Sequence, residues 1–332
     1  MIVGKKYRVF VSRQIPEVGL DILRSKCEVE IYPGEQAISR ELLLEKVKEV
    51  DGLLVLLSDK IDRKLLAQAP KLQVLSNYAA GYDNIDIDYA TKIGVAVTNT
   101  PEVLTDATAD LSWALLLATA RRLVEGDHIM RGKKFTGWSA LFLLGQDIKG
   151  KTLGILGAGR IGTAVVERSQ GWRMPVLYFD RQQNQYLERT YSAHRVSLIE
   201  ILQQADFISI HLPLNEETYH LIDEKMLRQM KKSAILVNTS RGAILNEKAL
   251  VKALENKWIA GAGLDVFENE PTMAAGLERL SNVVVVPHIG SATIHTRAEM
   301  ARIAANNLLT VLEGGLPEFL INPEFINQRI NK

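Results

Sequence analysis

Three side chains with complementary chemistry lie in the last third of the chain, each soon after a short apolar run. They are Arg241, Glu270 and His288. A histidine can donate a proton near neutral pH, because its ordinary pKa is about 6.5 and a neighbouring carboxylate favours the charged ring. A guanidinium can bind a carboxylate through two hydrogen bonds and polarise an adjacent carbonyl. This set suits the reduction of a carbonyl beside a carboxylate, provided that a hydride donor binds nearby.

A glycine-rich motif after the predicted strand 152–156 provides a site for such a donor. Its residues are Gly157, Ala158, Gly159, Arg160, Ile161 and Gly162. The glycines permit a tight turn, the approach of a pyrophosphate to the backbone, and close packing of the next helix. Asp180 follows 18 residues after Gly162, near the spacing of about 20 for a carboxylate that binds ribose hydroxyls. The motif predicts a dinucleotide site and favours NAD.

Two points stay open on the residues alone. Arg181 could meet the 2′-phosphate of NADP if Asp180 turned away. Arg241 and Glu270 could instead form a structural ion pair, and a lone histidine after a strand is usually a satisfied residue. Among the other histidines, His211 ends a predicted strand, so we expect it to line the cofactor site rather than to react.

The elements that must position these groups alternate between short apolar runs and helical segments, which predicts an α/β protein with parallel sheets. In the first hundred residues the predicted strands are 7–11, 53–57, 74–75 and 95–97. After a predicted helix 103–124, six more strands are expected at 152–156, 176–179, 207–210, 234–237, 259–264 and 283–286, and a helix at 292–312. In the spatial order 3-2-1-4-5-6, the ends of the last three strands are neighbours.

Composition excludes several classes of function. The chain has 332 residues, 47% of them hydrophobic, and 40 Lys+Arg against 39 Asp+Glu give a net charge of +1. This balance offers no general attraction to nucleic acid or to an acidic membrane surface. Cys27 is the only cysteine, so we expect no disulfide, no cysteine-built metal site, no metal cofactor, and a reducing, cytoplasmic location. No signal peptide and no membrane span are expected.

The sequence resembles the D-isomer-specific 2-hydroxyacid dehydrogenase family over nearly its whole length, and within it the glyoxylate and hydroxypyruvate reductases look most similar. The matching motifs are GILGAGRIG at 154–162, NTSRG at 238–242, GLDVF through EP at 263–271, and PHIG at 287–290. In that family the residues matching Arg241, Glu270 and His288 are catalytic. We also expect cofactor contacts at Thr105, His211, Pro213, Thr239, Ser240, Asp265 and Gly290.

The resemblance implies an architecture that spacing alone does not show. A Rossmann-type NAD-binding domain, 100–289, would be inserted into a flavodoxin-like substrate domain made of 1–99 and 290–332. The segment 123–149 would be a dimerisation arm, so a homodimer is expected. Trp138 would reach the neighbouring active site or, as an alternative, pack in its own domain. Ala80 and Gly81 would hold the substrate carboxylate through their N–H groups, and Leu53 would provide an apolar wall.

These expectations together predict the reduction of glyoxylate or hydroxypyruvate to the 2-hydroxyacid, with NADH preferred and NADPH possible. Hydride would come from the nicotinamide and the proton from His288. The alternatives are a phosphonate (phosphite), D-lactate, formate or 3-phosphoglycerate dehydrogenase, which share the Arg, Glu and His. A dinucleotide-sensing protein like the C-terminal-binding corepressors is an alternative from a different class.

Overall fold

The computed structural model describes residues 6–330, and these form two compact units. One unit contains the chain up to residue 104 together with the chain from 292 onward, and the other contains 105–291. We expected boundaries at 99 and 290. The boundary falls later, at 104, because the first helix of the second unit begins at Thr105. Within 6–330, no helix is long and apolar enough to cross a membrane.

The first unit contains a sheet of five parallel strands in the order β2-β1-β3-β4-β5, which is the flavodoxin-like order expected. Its first nine elements are β1 Tyr7–Val11, α1 Glu17–Arg24, β2 Cys27–Ile31, α2 Arg40–Lys46, β3 Gly52–Val55, α3 Arg63–Leu66, β4 Val74–Asn77, α4 Ile87–Lys92 and β5 Ala96–Thr98. Successive side chains of β1 enter opposite cores: Val9 and Val11 lie in one cluster and Phe10 in the other. Both faces are therefore buried, as parallel sheets require.

The second unit contains a sheet of seven parallel strands in the order β12-β11-β10-β9-β6-β7-β8. Its elements are α5 Thr105–Ala120, α6 Leu123–Arg131, β6 Leu153–Leu156, α7 Arg160–Ser169, β7 Val176–Phe179, α8 Gln185–Tyr191, β8 His194–Arg195, α9 Leu198–Gln204, β9 Phe207–Ile210, α10 Glu224–Leu227, β10 Ile235–Asn238, α11 Glu247–Glu255, β11 Gly261–Leu264 and β12 Val283–Val285. Crossovers on both faces make this a doubly wound sheet, which confirms the predicted fold class.

The strand count expected for this sheet was wrong. The third strand is His194–Arg195, an edge pair with both residues exposed, and no apolar run marks it in the sequence. Phe207–Ile210, which we numbered third, lies in the middle of the sheet and pairs with both β6 and β10. The neighbouring positions of β10, β11 and β12 are as predicted.

The single helix predicted over 103–124 is two helices. Arg122 adopts a left-handed backbone with φ 52° and separates α5 from α6. The carbonyl of Ala120, at the end of α5, accepts a hydrogen bond of 2.8 Å from the N–H of Gln146 in the segment that follows α6. The segment 132–152 between α6 and β6 contains neither helix nor strand.

The last two helices, α12 Ile294–Leu312 and α13 Phe325–Ile330, belong to the first unit. The side chain of Thr293 caps α12 by accepting a hydrogen bond from the N–H of Thr296. α12 packs on α1 and on the sheet, and the hydroxyl of Ser76 on β4 donates to the buried carbonyl of Ala304 at 2.9 Å. A Cβ on Gly19 would lie 2.7 Å from the carbonyl oxygen of Ala301, so a glycine is needed for this close approach.

Candidate active site

Glu270 and His288 form a hydrogen-bonded pair after β11 and β12. The ring Nδ1 of His288 is 2.9 Å from Oε2 and 3.1 Å from Oε1 of Glu270. Burial raises the pKa of Glu270, but the hydrogen bonds from His288 and Phe267 and the charges of His288 and Arg241 outweigh burial, and the pKa lies below its usual value of 4.5. An ionised carboxylate can only accept, so Nδ1 carries the proton and donates. The structure thus brings the three predicted side chains into one electrostatic cluster.

Asp265 fixes the backbone that carries this histidine. Its carboxylate accepts hydrogen bonds from the N–H groups of Ile289 at 2.6 Å and Gly290 at 2.8 Å, and its carbonyl accepts from the N–H of His288 at 2.8 Å. His288 has a left-handed backbone with φ 53°, which costs a residue other than glycine about 1–2 kcal/mol. Asp265 is 1% exposed, and this burial raises the pKa of its carboxyl. These contacts hold the imidazole beside the end of β11.

Arg241 reaches the cluster because its loop packs tightly on the next one. The carbonyl of Arg241 accepts a hydrogen bond of 2.9 Å from Nδ2 of Asn238, which shapes the turn after β10. A Cβ added to Gly242 would lie 1.9 Å from the carbonyl carbon of Phe267. Only a glycine permits this approach, and it brings the loop after β10 against the loop that carries Glu270.

The glycine motif forms the turn between β6 and α7. Gly157 has φ 98°, and a Cβ there would lie 2.6 Å from the carbonyl carbon of His211. A Cβ on Gly162 would lie 2.0 Å from the carbonyl oxygen of Gly157. A Cβ on Gly159, by contrast, would meet nothing within 4 Å, and no side chain caps α7 at this residue. The helix N-terminus therefore presents open space and backbone N–H groups, which fits a dinucleotide pyrophosphate.

Asp180 lies at the end of β7 against this turn. Its Oδ2 accepts a hydrogen bond of 2.8 Å from the N–H of Ala158, and Oδ1 accepts one of 3.1 Å from the N–H of Gln182. Arg181 is 77% exposed and lies 3.9 Å from Glu217. The guanidinium of Arg195 donates to the carbonyls of both Asp180 and Arg181 at 3.0 and 2.7 Å. The carboxylate of Asp180 thus suits ribose hydroxyls, and the positive charges of Arg181 and Arg195 suit a 2′-phosphate.

The other predicted cofactor residues lie at strand ends or helix starts of the second unit. His211 follows β9, and its Nε2 is 2.8 Å from the hydroxyl of Ser209. Its Nδ1 is buried and has no hydrogen-bond partner among the residues that the structure describes. Burial lowers the pKa of His211, so the ring is neutral. The buried hydroxyl of Thr239 lies 2.7 Å from that of Ser112. The remaining positions are the exposed Pro213, the half-buried Ser240 after β10, and Thr105 at the start of α5.

In the first unit, Ala80 and Gly81 form a turn after β4 that fits an anion. The carbonyl of Ala80 accepts a hydrogen bond of 2.7 Å from Asn99, and the carbonyl of Gly81 accepts one of 2.8 Å from Asn77. In the part of the chain that the structure describes, neither residue's N–H group donates to a protein acceptor. Two neighbouring amides with fixed carbonyls are a suitable cradle for a carboxylate.

The structure contradicts the role expected of Leu53. Leu53 lies within β3, is 0% exposed, and packs in a hydrophobic core, so it cannot line a pocket. The strand ends at Val55, and the half-buried Leu56 and Leu57 follow it. The apolar run 53–57 gave no sign of where the strand stops.

Trp138 is 86% exposed in the segment between α6 and β6.

Comparison with known proteins identifies the family. A family model described as the D-isomer specific 2-hydroxyacid dehydrogenase, NAD binding domain, matches residues 113–290. The chain is 50% identical over 328 residues to a glyoxylate reductase of Pyrococcus horikoshii, with 98% of each covered, and 51% identical over 325 residues to a glyoxylate reductase of Thermococcus litoralis, with 97% of this chain and 98% of the relative covered.

A solved structure is also similar over almost the whole chain. It is an NADPH-dependent glyoxylate/hydroxypyruvate reductase from Sinorhizobium meliloti in complex with NADP and malonate. Its TM-score is 0.85 at 29% identity, with 97% of this chain and 98% of that one covered. The chain belongs to the D-isomer-specific 2-hydroxyacid dehydrogenase family. It is therefore an oxidoreductase that uses NAD or NADP.

Sequence reasoning missed two groups that the structure places beside the site. Arg195 binds the backbone around Asp180 from a strand with no apolar signal. Glu247 is a buried carboxylate, 2% exposed, at the start of α11. In the sequence it reads as an ordinary acidic residue in the first turn of a helix, where the helix dipole favours negative charge.

Proposed function

We propose that the protein reduces a small 2-oxoacid, glyoxylate or hydroxypyruvate, to the 2-hydroxyacid. The observation that carries this proposal is the hydrogen-bonded pair of Glu270 and His288, with the charge of Arg241 acting on it. A bound nicotinamide dinucleotide supplies the hydride. The ring of His288 donates the proton to the carbonyl oxygen as negative charge develops there, and Glu270 stabilises the protonated ring.

Arg241 binds the substrate carboxylate in this proposal, and the turn at Ala80 and Gly81 of the first unit is proposed separately as a carboxylate-binding turn. A guanidinium offers two parallel hydrogen bonds to a carboxylate and polarises the neighbouring carbonyl. The N–H group of Gly81 shares a peptide plane with the carbonyl of Ala80, which accepts from Asn99. The N–H group of Ala80 shares one with the carbonyl of Ala79, which accepts from the N–H of Thr100 at 2.9 Å. The guanidinium suits a carboxylate next to a carbonyl, which is the group common to all 2-oxoacids.

A substrate panel tests the proposal. Loss of NADH or NADPH absorbance is measured with glyoxylate, hydroxypyruvate and pyruvate, and its gain with phosphite, formate, D-lactate and 3-phosphoglycerate. We expect the highest kcat/KM with glyoxylate or hydroxypyruvate. Turnover confined to phosphite, formate, D-lactate or 3-phosphoglycerate would contradict the proposal. Tight dinucleotide binding without any turnover would instead favour a dinucleotide-sensing binding protein.

We propose NADH as the preferred cofactor. The carboxylate of Asp180 lies at the end of β7 against the glycine turn, which suits two ribose hydroxyls and repels a 2′-phosphate. Arg181 and Arg195 provide positive charge for NADPH, the cofactor of the Sinorhizobium meliloti relative. A higher kcat/KM with NADPH than with NADH would overturn this preference. The cytoplasmic location expected from the single cysteine stays a prediction.

We propose that the arm mediates a homodimer. Large apolar side chains are exposed there, among them Trp138 at 86%, Leu141 at 80% and Leu144 at 60%, and such a patch marks an interaction surface. The mass in solution is measured by light scattering for wild type, for Trp138→Ala, and for Leu316→Ala as a control that is also exposed but lies outside the arm. A dimer weakened by Trp138→Ala is expected. If Trp138→Ala leaves the dimer mass and the substrate KM unchanged, Trp138 contributes neither to the dimer interface nor to the neighbouring active site.

A further inference from the structure

Glu247 is a buried carboxylate outside the catalytic cluster. It is the first residue of α11 and only 2% exposed. Burying an ionised carboxylate is costly unless hydrogen bonds replace its water. Its two oxygens are used separately: Oε1 accepts from the N–H of Glu268, and Oε2 accepts from the N–H of Ala274 at 2.7 Å.

The segment bridged by this carboxylate carries Glu270. Residues 268 and 274 are the two points that Glu247 holds, and Glu270 lies between them. Within the same loop, Oε1 of Glu270 accepts a hydrogen bond of 3.1 Å from the N–H of Phe267. The start of α11 is therefore connected to the ring of His288 by hydrogen bonds and by the covalent backbone between Glu268 and Phe267.

A second contact holds the same loop from the same side. Nε2 of His220 is 2.9 Å from Oε1 of Glu268, and its Nδ1 is 3.3 Å from Nδ2 of Asn246, the residue that caps α11. The backbone of Glu268 is thus held by Glu247 and its side chain by His220. Both anchors belong to the region around the α11 N-terminus, and among residues 6–330 their hydrogen bonds go to partners other than Glu270 and His288.

We propose that Glu247 is a positioning residue that keeps the Glu270 carboxylate in hydrogen-bonding distance of His288. This inference rests on the proposed function of Glu270 and His288. Charge-assisted hydrogen bonds from two amides hold a loop more firmly than neutral ones. A loop without this anchor would sample positions in which Glu270 is too far from the ring to stabilise its protonated form.

The test replaces Glu247 by glutamine, which keeps the side-chain volume but presents an NH₂ group to one of the two amides. We expect kcat for 2-oxoacid reduction to fall about ten-fold, as for the loss of one orienting hydrogen bond. The alkaline limb of the kcat/KM profile should move to lower pH, while the Kd for the dinucleotide stays unchanged. Glu255→Gln, the same change at the exposed end of the same helix, is the matched control and should leave kcat and the profile unchanged.

A double variant separates positioning from a general structural role. If Glu247 acts through Glu270, then Glu247→Gln moves the alkaline limb in the wild-type background and not in the Glu270→Gln background. A shift of equal size in both backgrounds, or unchanged kcat and profile in a folded Glu247→Gln, would overturn the inference. Should Glu247→Gln not fold, Glu247→Asp, which keeps the charge but shortens its reach, is used with the same expectations.

A readout independent of turnover distinguishes failure of this inference from failure of the proposed function. The ring titration of His288 is followed by nuclear magnetic resonance, with the signal assigned by its loss in His288→Asn. The midpoint should fall in Glu247→Gln relative to wild type. If wild type reduces no 2-oxoacid but this midpoint moves, the proposed function fails and the positioning role stands. If wild type is active and the midpoint does not move, only the positioning role fails.

Discussion

Replacing Glu270 by glutamine tests the pair at the centre of the site. The pKa of Glu270 lies below 4.5, so the side chain is ionised throughout a kinetic assay near neutral pH. Its charge favours the protonated ring of His288, from which it accepts hydrogen bonds at 2.9 and 3.1 Å. Glutamine keeps the shape and removes the charge. The ring of His288 then loses its proton at a lower pH. The alkaline limb of the kcat/KM profile for reduction therefore moves to lower pH.

The size of the shift follows from the exposure of the pair. A hydrogen bond between charged groups contributes about 1.5–3 kcal/mol, and the side chains of His288 and Glu270 are 31% and 37% exposed, so solvent screening favours the lower end. At 1.36 kcal/mol for each pH unit, the limb moves by about one unit. Above the limb, kcat/KM at fixed pH falls about ten-fold.

The assay is a kcat/KM profile for 2-oxoacid reduction measured with saturating dinucleotide across the stable pH range. Glu216→Gln, at an exposed position, is the control for removing one negative charge from the surface. A Glu270→Gln profile that coincides with that of wild type would refute the assignment of Glu270 as the partner of the proton donor. A shift to higher pH would refute the sign of the argument.

Three further changes test other parts of the site and fold. Arg241→Lys should raise the substrate KM and lower kcat together, because a single ammonium replaces the bidentate group; wild-type kinetics would exclude Arg241 from substrate binding. Gly242→Ala should lower kcat at least ten-fold with unchanged dinucleotide Kd, since its Cβ would lie 1.9 Å from the carbonyl carbon of Phe267; full activity would show that the two loops move apart freely. Leu53→Ala should lower the free energy of unfolding by about 2–5 kcal/mol. This loss is measured as a lower Tm, and the substrate KM should not change. A changed KM at an unchanged Tm would show that Leu53 lines the substrate pocket after all.

The part of the site that follows from strand order could be predicted from the sequence. Parallel strands end at one edge, so residues after neighbouring strands meet there, and the contact between Glu270 and His288 follows from this rule. The glycine motif is equally local, because each glycine is required by a close approach within one turn. Fold class follows from the alternation of strands and helices.

Contacts that join distant segments could not be predicted. The sequence around Glu247 is that of an ordinary helix start, and nothing local shows that its carboxylate is buried under a loop more than 20 residues away. The edge strands Cys27–Ile31 and His194–Arg195 were missed because a strand with one neighbour needs few apolar residues. Leu53 lies in the core because it is inside β3 and pairs with Phe10 of β1 and Leu75 of β4, and this pairing between distant segments does not follow from composition.

The left-handed backbone of His288 limits how this enzyme can be altered by design or by mutation. At φ 53°, β-branched residues are strongly disfavoured and even alanine is strained. Asparagine tolerates this conformation best among the side chains of similar size. A replacement by valine would therefore combine a distorted turn with the loss of the imidazole, whereas asparagine removes the ring and tolerates the backbone conformation.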